Sequence, residues 1–184
     1  MENTEKEHIL FITQTLQWEL LSMKYIQEIF KELTDEVTKY LRVPTPTKIE
    51  QEEEWIKNSR ETYQKWENIN FIVTDDAGDF IGICGVLNLN TSTPEVGLRL
   101  KQSARGKWYG KEMIAGLINR LEKNKKFDYI LYRAHVENVA THKIATSFGW
   151  ELQRDEQGNA KIFIEHKFDN SSSFEAVEYR IYKK

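Results

Sequence analysis

Two runs rich in Ile, Val and Phe, Asn70 to Thr74 and Phe80 to Asn90, are separated by only five residues, Asp75, Asp76, Ala77, Gly78 and Asp79. A parallel connection needs a crossover of a dozen or more residues, whereas a short link rich in Asp and Gly closes a hairpin. Any sheet containing both runs is therefore not fully parallel. Helical patterns interleave with the remaining strand-like runs, so the sequence predicts a mixed sheet combined with helices.

The rest of the chain supplies the partners. Residues 1–12 read as a polar leader and Thr13 to Leu20 as a strand. Ser22 is placed to cap a helix carrying Tyr25, Ile26, Ile29, Phe30 and Leu33. After Pro44 and Pro46, Thr47 and Glu50 form a T-x-x-E capping box for a second helix with Trp55, Ile56 and Tyr63 on its apolar face. The acidic stretch Glu50 to Glu54 suits the positive end of that helix, and it would suit a cationic acceptor if it bordered a cleft. A strand from Glu95 to Lys101 precedes the strongest helical pattern, with Met113, Ile114, Leu117, Ile118 and Leu121 following Tyr109. Phe127 to Val136 reads as a strand, and a short helix runs from Val139 to a C-cap at Gly149. Two strands flank Gln157, Gly158 and Asn159, and a last strand, Phe174 to Tyr182, lies in a C-terminal extension at 169–184. No linker composition interrupts the chain, so residues 1–184 are expected to form one domain.

Several functions are disfavoured at once. The net charge of -3 argues against a basic coat for nucleic acid, and the longest mainly apolar stretch, Phe80 to Leu87, is too short to span a membrane. The start MENTEKEH lacks a signal peptide's order of basic and apolar residues, so a soluble, cytoplasmic protein is expected. Cys84 is the only cysteine and reads as a small buried strand residue rather than a nucleophile. No metal site is expected.

The charge distribution is uneven. Between Arg99 and Lys111 five residues are basic (Arg99, Lys101, Arg105, Lys107, Lys111) and none is acidic, which leaves -8 for the remainder. The segment passes from a strand through a Gly-containing loop into the best helix, where free N–H groups and the helix dipole favour an anion. It is either a phosphate site or a solvated basic loop. The spacing of Gly106 and Gly110 is too short for a P-loop, and Trp108 interrupts a dinucleotide fingerprint.

Glu95 to Leu117, EVGLRLKQSARGKWYGKEMIAGL, resembles the acetyl-CoA-binding motif of the GNAT superfamily of N-acetyltransferases. The family's [QR]-x-x-G-x-[GA] window falls on Arg105, Gly106, Lys107, Trp108, Tyr109 and Gly110, with Trp108 in place of the middle glycine. Asn138, Val139, Ala140 and Thr141, followed by Phe148, Gly149 and Trp150, resemble the family's second motif, N-x-[AS]-[ST] … [LF]-G-[FW]. Glu19 to Leu41 is similar to the start of the RimJ/RimL-like branch. The resemblance implies an α+β fold, with a mixed, mostly antiparallel central sheet, helices on both faces, and two neighbouring parallel strands, Glu95–Lys101 and Phe127–Val136, that splay to admit the pantetheine arm of acetyl-CoA. It implies that Leu98, Arg99 and Leu100 pair with pantetheine through their backbones. Arg105, Gly106, Lys107, Trp108, Tyr109, Gly110 and Lys111 would cradle the pyrophosphate, Asn138 would bond near the thioester, and Lys143 would reach the phosphates.

For catalysis, the resemblance implies that a strand N–H near Leu98 polarises the thioester. Many members place a tyrosine acid at the position held here by Ala145. The RimJ/RimL-like branch usually has serine where this chain has Thr141, which is either the acid or only a first-turn helix residue. Glu95 is either the base or the partner of a basic side chain, with His135 as its rival. The acceptor is a primary amine of a protein N-terminus or a small molecule, and the protein is a monomer or homodimer. Trp108 and Ala145 also admit a catalytically silent acyl-CoA-binding module.

Overall fold

The structure is a computed structural model that describes residues 9–41, 43–124, 126–165 and 173–183. It opens with β1 (Ile9–Ile12), β2 (Leu16–Leu20), a 3-10 turn at Met23–Tyr25, α1 (Ile26–Glu32), α2 (Asp35–Thr38) and α3 (Ile49–Gln64). There follow β3 (Ile69–Asp75), β4 (Phe80–Leu87), β5 (Glu95–Leu100), α4 (Tyr109–Asn124), β6 (Ile130–His135), α5 (Val139–Ser147), β7 (Glu151–Leu152), β8 (Lys161–Glu165) and β9 (Ser173–Ile181). One sheet takes the order β1-β2-β3-β4-β5-β6-β9-β7, with β8 also on β9. Among the described residues only the β5–β6 pair is parallel.

The hairpin forms as its short link requires. Asp75 Oδ1 accepts from the N–H groups of Ala77 (3.1 Å) and Asp79 (2.9 Å), and Gly78 supplies the positive φ of +85°. Strand alternation then divides the core. Phe71 and Val73 of β3 join Met113, Ile114, Leu117 and Leu121 of α4 on one face. Ile72 and Ile83 turn to the other, against Tyr25, Ile29, Leu33, Val37 and Ile56 from the 3-10 turn, α1–α3 and the α1–α2 link.

Four local expectations need correction. The end of the polar leader read at 1–12 is an apolar strand: Ile9–Ile12 forms β1, because Phe11 stacks on Trp18 at 4.6 Å, and residues 1–8 lie outside the described residues. The strand expected from Thr13 starts at Leu16, since Thr13 and Thr15 form the β1–β2 turn. Ser22 precedes a 3-10 turn and makes no capping side-chain bond. The capping residue of α3 is Gln51 rather than Glu50: its Oε1 accepts from the N–H groups of Thr47 (2.8 Å) and Lys48 (3.0 Å). The strands flanking Gly158 do not pair with each other. β7 and β8 lie end to end on the edge of β9 that β6 leaves free. The start of the C-terminal extension, 169–172, lies outside the described residues.

Glu112, in the first turn of α4, ties that helix to the β1–β2 turn. Its Oε1 accepts from Thr13 Oγ1 (2.6 Å) and the Thr15 N–H (2.7 Å), and its Oε2 accepts from Thr15 Oγ1 (2.7 Å). Burial pushes this carboxyl upward, but the hydrogen bonds outweigh it and hold the group below its ordinary value. Glu112→Ala is expected to cost about 1–2 kcal/mol at neutral pH, discounted for partial solvent screening. Because the folded-state pKa is depressed, that contribution exists above the unfolded carboxylate pKa and disappears as pH falls through the folded one. Urea denaturation at pH 7 and pH 3 should therefore show a gap between wild type and variant that narrows in acid.

Candidate active site

β5 and β6 are joined by one bridge, Glu95 to Leu131, with the Leu131 N–H donating to the Pro94 carbonyl at 2.8 Å. Beyond it β5 stays on β4 as far as Leu100, and β6 stays on β9 as far as His135. The strands part, and a cleft of about 240 Å³ opens between them. Along a strand, successive residues aim their backbone groups at alternate edges. Since Pro94 faces β6, so do Leu98 and Leu100, whereas Arg99 is committed to β4 opposite Ile83. The expected backbone set therefore contracts to Leu98 and Leu100. Arg99 offers only its side chain, which leaves the opposite face.

After β5 comes a 3-10 turn at Gln102–Ala104 and then a loop with Gly106 at φ +77° and Trp108 at φ +67°. Five successive amides, Gly106 to Gly110, have no backbone hydrogen-bond partner among the described residues. The Trp108 carbonyl already accepts from Lys111 N–H (3.0 Å) and Glu112 N–H (3.1 Å), starting α4. Trp108 thus adopts the left-handed conformation that a glycine would take freely, and its side chain, 79% exposed, turns into solvent. This nest at a helix N-terminus is suited to a pyrophosphate. Lys107 is exposed beside it, and Lys111 Nζ lies 5.1 Å from the Phe148 ring. Arg105 is directed elsewhere: its Nη1 lies 3.8 Å from Glu36 Oε1, and its Nη2 donates to the Glu36 carbonyl. Lys143 is exposed on α5.

At the far side of the cleft, Asn138 caps α5 by accepting from the Thr141 N–H (3.2 Å). Burial holds the Tyr132 phenol well above its ordinary pKa, and the neighbouring Thr141 hydroxyl opposes that rise. Asn138, Thr141 and Tyr132 all line the cleft. Ala145 is fully buried, so the tyrosine position is closed by core packing. Cys84 is buried too, and burial pushes its thiol up, consistent with a packing role.

On the α3 side, Glu95 is 6% exposed, and its Oε2 pairs with Arg133 Nη1 at 3.0 Å. Arg133 also pairs with Glu178 (2.9 Å), which in turn holds Arg180 (3.1 Å). The His135 ring packs against Tyr40 (5.1 Å) and Phe174 (4.7 Å), and its Nδ1 accepts from the Glu137 N–H at 3.1 Å. In the neutral ring Nε2 then carries the proton, leaving no free lone pair for base chemistry. Of the acidic stretch, only Glu52 is buried, 3.7 Å from Arg99. Burial lowers the Arg99 guanidinium to about 10, opposed by Glu52, and burial raises Glu52, opposed by Arg99. Tyr132, Arg133, Tyr40 and Trp55 were not expected at the site. Strand alternation from Glu95 and Asn138 would have flagged the first two.

The family model described as acetyltransferase (GNAT) domain matches residues 21–151. The chain belongs to the GNAT acetyltransferase family. No curated protein matches. Among solved structures, the apo form of RimL, the ribosomal L7/L12 alpha-N-protein acetyltransferase, gives a TM-score of 0.76 at 13% identity, covering 95% of this chain and 94% of its own. The Salmonella typhimurium acetyltransferase that modifies the N-terminal serine of 50S ribosomal subunit protein L7/L12 gives 0.75 at 11%, with coverages of 96% and 99%. The microcin C7 self immunity acetyltransferase MccE, in complex with acetyl-CoA and AMP, gives 0.74 at 16%, with coverages of 93% and 94%. These likenesses establish a shared GNAT fold and agree with the RimJ/RimL-like resemblance.

The loop conformation makes a stability prediction for this GNAT chain. A β-branched side chain is strongly disfavoured at positive φ, so Trp108→Val should be about 1–2 kcal/mol less stable than Trp108→Gly, read from urea midpoints.

Proposed function

We propose that this protein transfers the acetyl group of acetyl-CoA to a primary amine of a protein N-terminus or a small molecule. The observation that carries this reading is the splayed β5–β6 pair opening beside five unpartnered amides at the start of α4. Leu98 and Leu100 present backbone groups for a pantetheine arm, and Gly106 to Gly110, with Lys107 and Lys111, suit its pyrophosphate. Arg105 is paired with Glu36 and takes no direct part, and the exposed Lys143 is available to meet a phosphate. Acetyl-CoA supplies the activated acetyl group, and no metal is required.

The chain's own groups divide the remaining work. The Leu98 N–H polarises the thioester carbonyl, a fixed dipole that needs no reorganisation. Asn138 orients the acetyl end. Thr141 donates a proton to the departing sulfur, beside a Tyr132 phenol that burial keeps protonated. Glu95 takes the proton of the acceptor amine, directly or through water, so that a neutral nitrogen attacks. Both candidates are engaged, His135 through Nδ1 and Glu95 through the Arg133 pair; a carboxylate has more than one acceptor oxygen whereas the neutral imidazole has a single acceptor nitrogen, which supports Glu95 over its rival.

Thiol release from acetyl-CoA across a panel of amines tests the reaction, with calorimetry reporting CoA binding. Binding without any release would indicate a silent module. Glu95→Gln should lower kcat at least about 100-fold with the CoA Kd changed less than threefold, in line with the loss of a general base. Unchanged kcat at saturating substrate would remove Glu95 from that role. Replacing Lys107 and Lys111 together by Ala should weaken CoA binding about tenfold and flatten its salt dependence, because both act as partly solvated charges.

A further inference from the structure

Arg99 is the least satisfied charged group in the cleft wall. Its side chain leaves β5 toward α3, where the guanidinium lies 4.4 Å from the centroid of the Trp55 ring. Nη2 stands 3.7 Å from Glu52 Oε2, an ion pair too long for a hydrogen bond, and neither buried atom has a hydrogen-bond partner. The side chain as a whole keeps 16% of its exposure and lines the cleft with Tyr40, Glu95, Arg133 and His135. Buried donors without partners are rare in folded proteins; Nη2 itself is enclosed against Glu52, and a ligand oxygen reaches Arg99 through the part of the side chain that stays exposed to the cleft.

The kind of oxygen follows from the charges around it. Glu52 already neutralises Arg99, and Arg133 is shared by Glu95 and Glu178. A carboxylate or phosphate brought to Arg99 would approach Glu52, and a polyamine would find no unbalanced acid. A neutral carbonyl oxygen meets neither obstacle. Arg99 also follows Leu98 directly on β5, so it stands one residue from the N–H assigned above to the thioester. An amine bearing an amide carbonyl within a residue's length is the N-terminal end of a peptide.

Resting on the acetyltransferase reading, we propose that Arg99 anchors a main-chain carbonyl of a peptide acceptor, and that Glu52 is the counter-charge that selects a neutral amide over a carboxylate. Trp55 holds the guanidinium plane in place. Glu52 and Trp55 are positioning residues, and the acceptor touches Arg99.

The test measures thiol release at saturating acetyl-CoA with three acceptors: the amidated peptide Ser-Ala-Ala-Ala, free serine and butylamine. The wild type should prefer the peptide by kcat/KM at least tenfold. The paired variant Glu52→Met with Arg99→Met, which leaves no orphan charge, should raise the peptide KM at least tenfold with kcat within threefold and CoA affinity unchanged. Glu52→Gln should shift the serine-to-peptide ratio at least fivefold toward serine, a change that a purely structural pair would not produce. An unchanged peptide KM in the paired variant, or a wild type that uses serine or butylamine as well as the peptide, overturns the proposal. If no acceptor releases thiol, saturation-transfer NMR of the same peptide in the presence of CoA separates the two readings. Binding lost in the paired variant sustains the anchor while transfer falls, and equal binding, or none in the wild type, overturns the anchor.

Discussion

Between β5 and β6 a single bridge at Glu95 and Leu131 holds two strands that are pulled apart above it. Each has a full antiparallel neighbour on its outer side, β4 for one and β9 for the other, and those ladders bind each strand more strongly than one parallel bridge binds the pair. Sheet twist rotates the two halves about the bridge, so the gap widens toward Leu100 and His135. The cleft is thus enforced by the rest of the sheet. It exposes the edge groups of Leu98 and Leu100, sets Glu95 at its base beside Arg133, and lets Tyr132 and Thr141 meet on the far face.

The basic segment from Arg99 to Lys111 resolves into groups with different work. Arg99 is turned through the sheet to Glu52, and Arg105 is tied to Glu36 of α2. Both bind the helices of one face to the strand and loop that lead to α4 on the other. Lys101 lies on the side of α1 and α2, and Lys107 and Lys111 are the basic residues left beside the loop. The concentration of positive charge is real in the sequence, but two of its five members are compensated by carboxylates distant along the chain. For that reason the loop's row of unpartnered amides, rather than its formal charge, is the feature that suits it to an anion.

Much of the scaffold was legible because its signals are local. The Asp75–Asp79 link forced the hairpin, the spacing of Met113, Ile114, Leu117 and Leu121 gave α4, and Asn138 and Gly149 marked the ends of α5. The readings that failed depend on tertiary partners. Ile9–Ile12 becomes a strand because Phe11 finds Trp18, and Gln51 displaces Glu50 as the cap because the helix starts one residue later than the pattern suggests. The pairing of Arg99 with Glu52 spans 47 positions and has no sequence periodicity to reveal it. Glu95 shows the same limit: its residue type and strand position were legible, but its Arg133 partner was not.

Trp108 and Ala145 depart from the family pattern in opposite ways. At Trp108 the backbone keeps a φ of +67°, so the amide stays in the row facing the loop, and the indole is sent into solvent. A left-handed non-glycine residue costs about 1–2 kcal/mol, which the flanking Gly106 and the carbonyl bonds that begin α4 are able to hold in place. At Ala145 the side chain itself has changed environment, because it is sealed in the core, while neighbouring Ile144 would press on any side chain added at Gly110. A phenol nevertheless reaches the cleft, from Tyr132 on β6, and it meets Thr141 one turn before Ala145 on α5. The first departure leaves the loop's backbone conformation in place at a surface where the side chain is exposed. At the second, core packing closes the helix position, and the phenol that lines the cleft belongs to the adjacent strand.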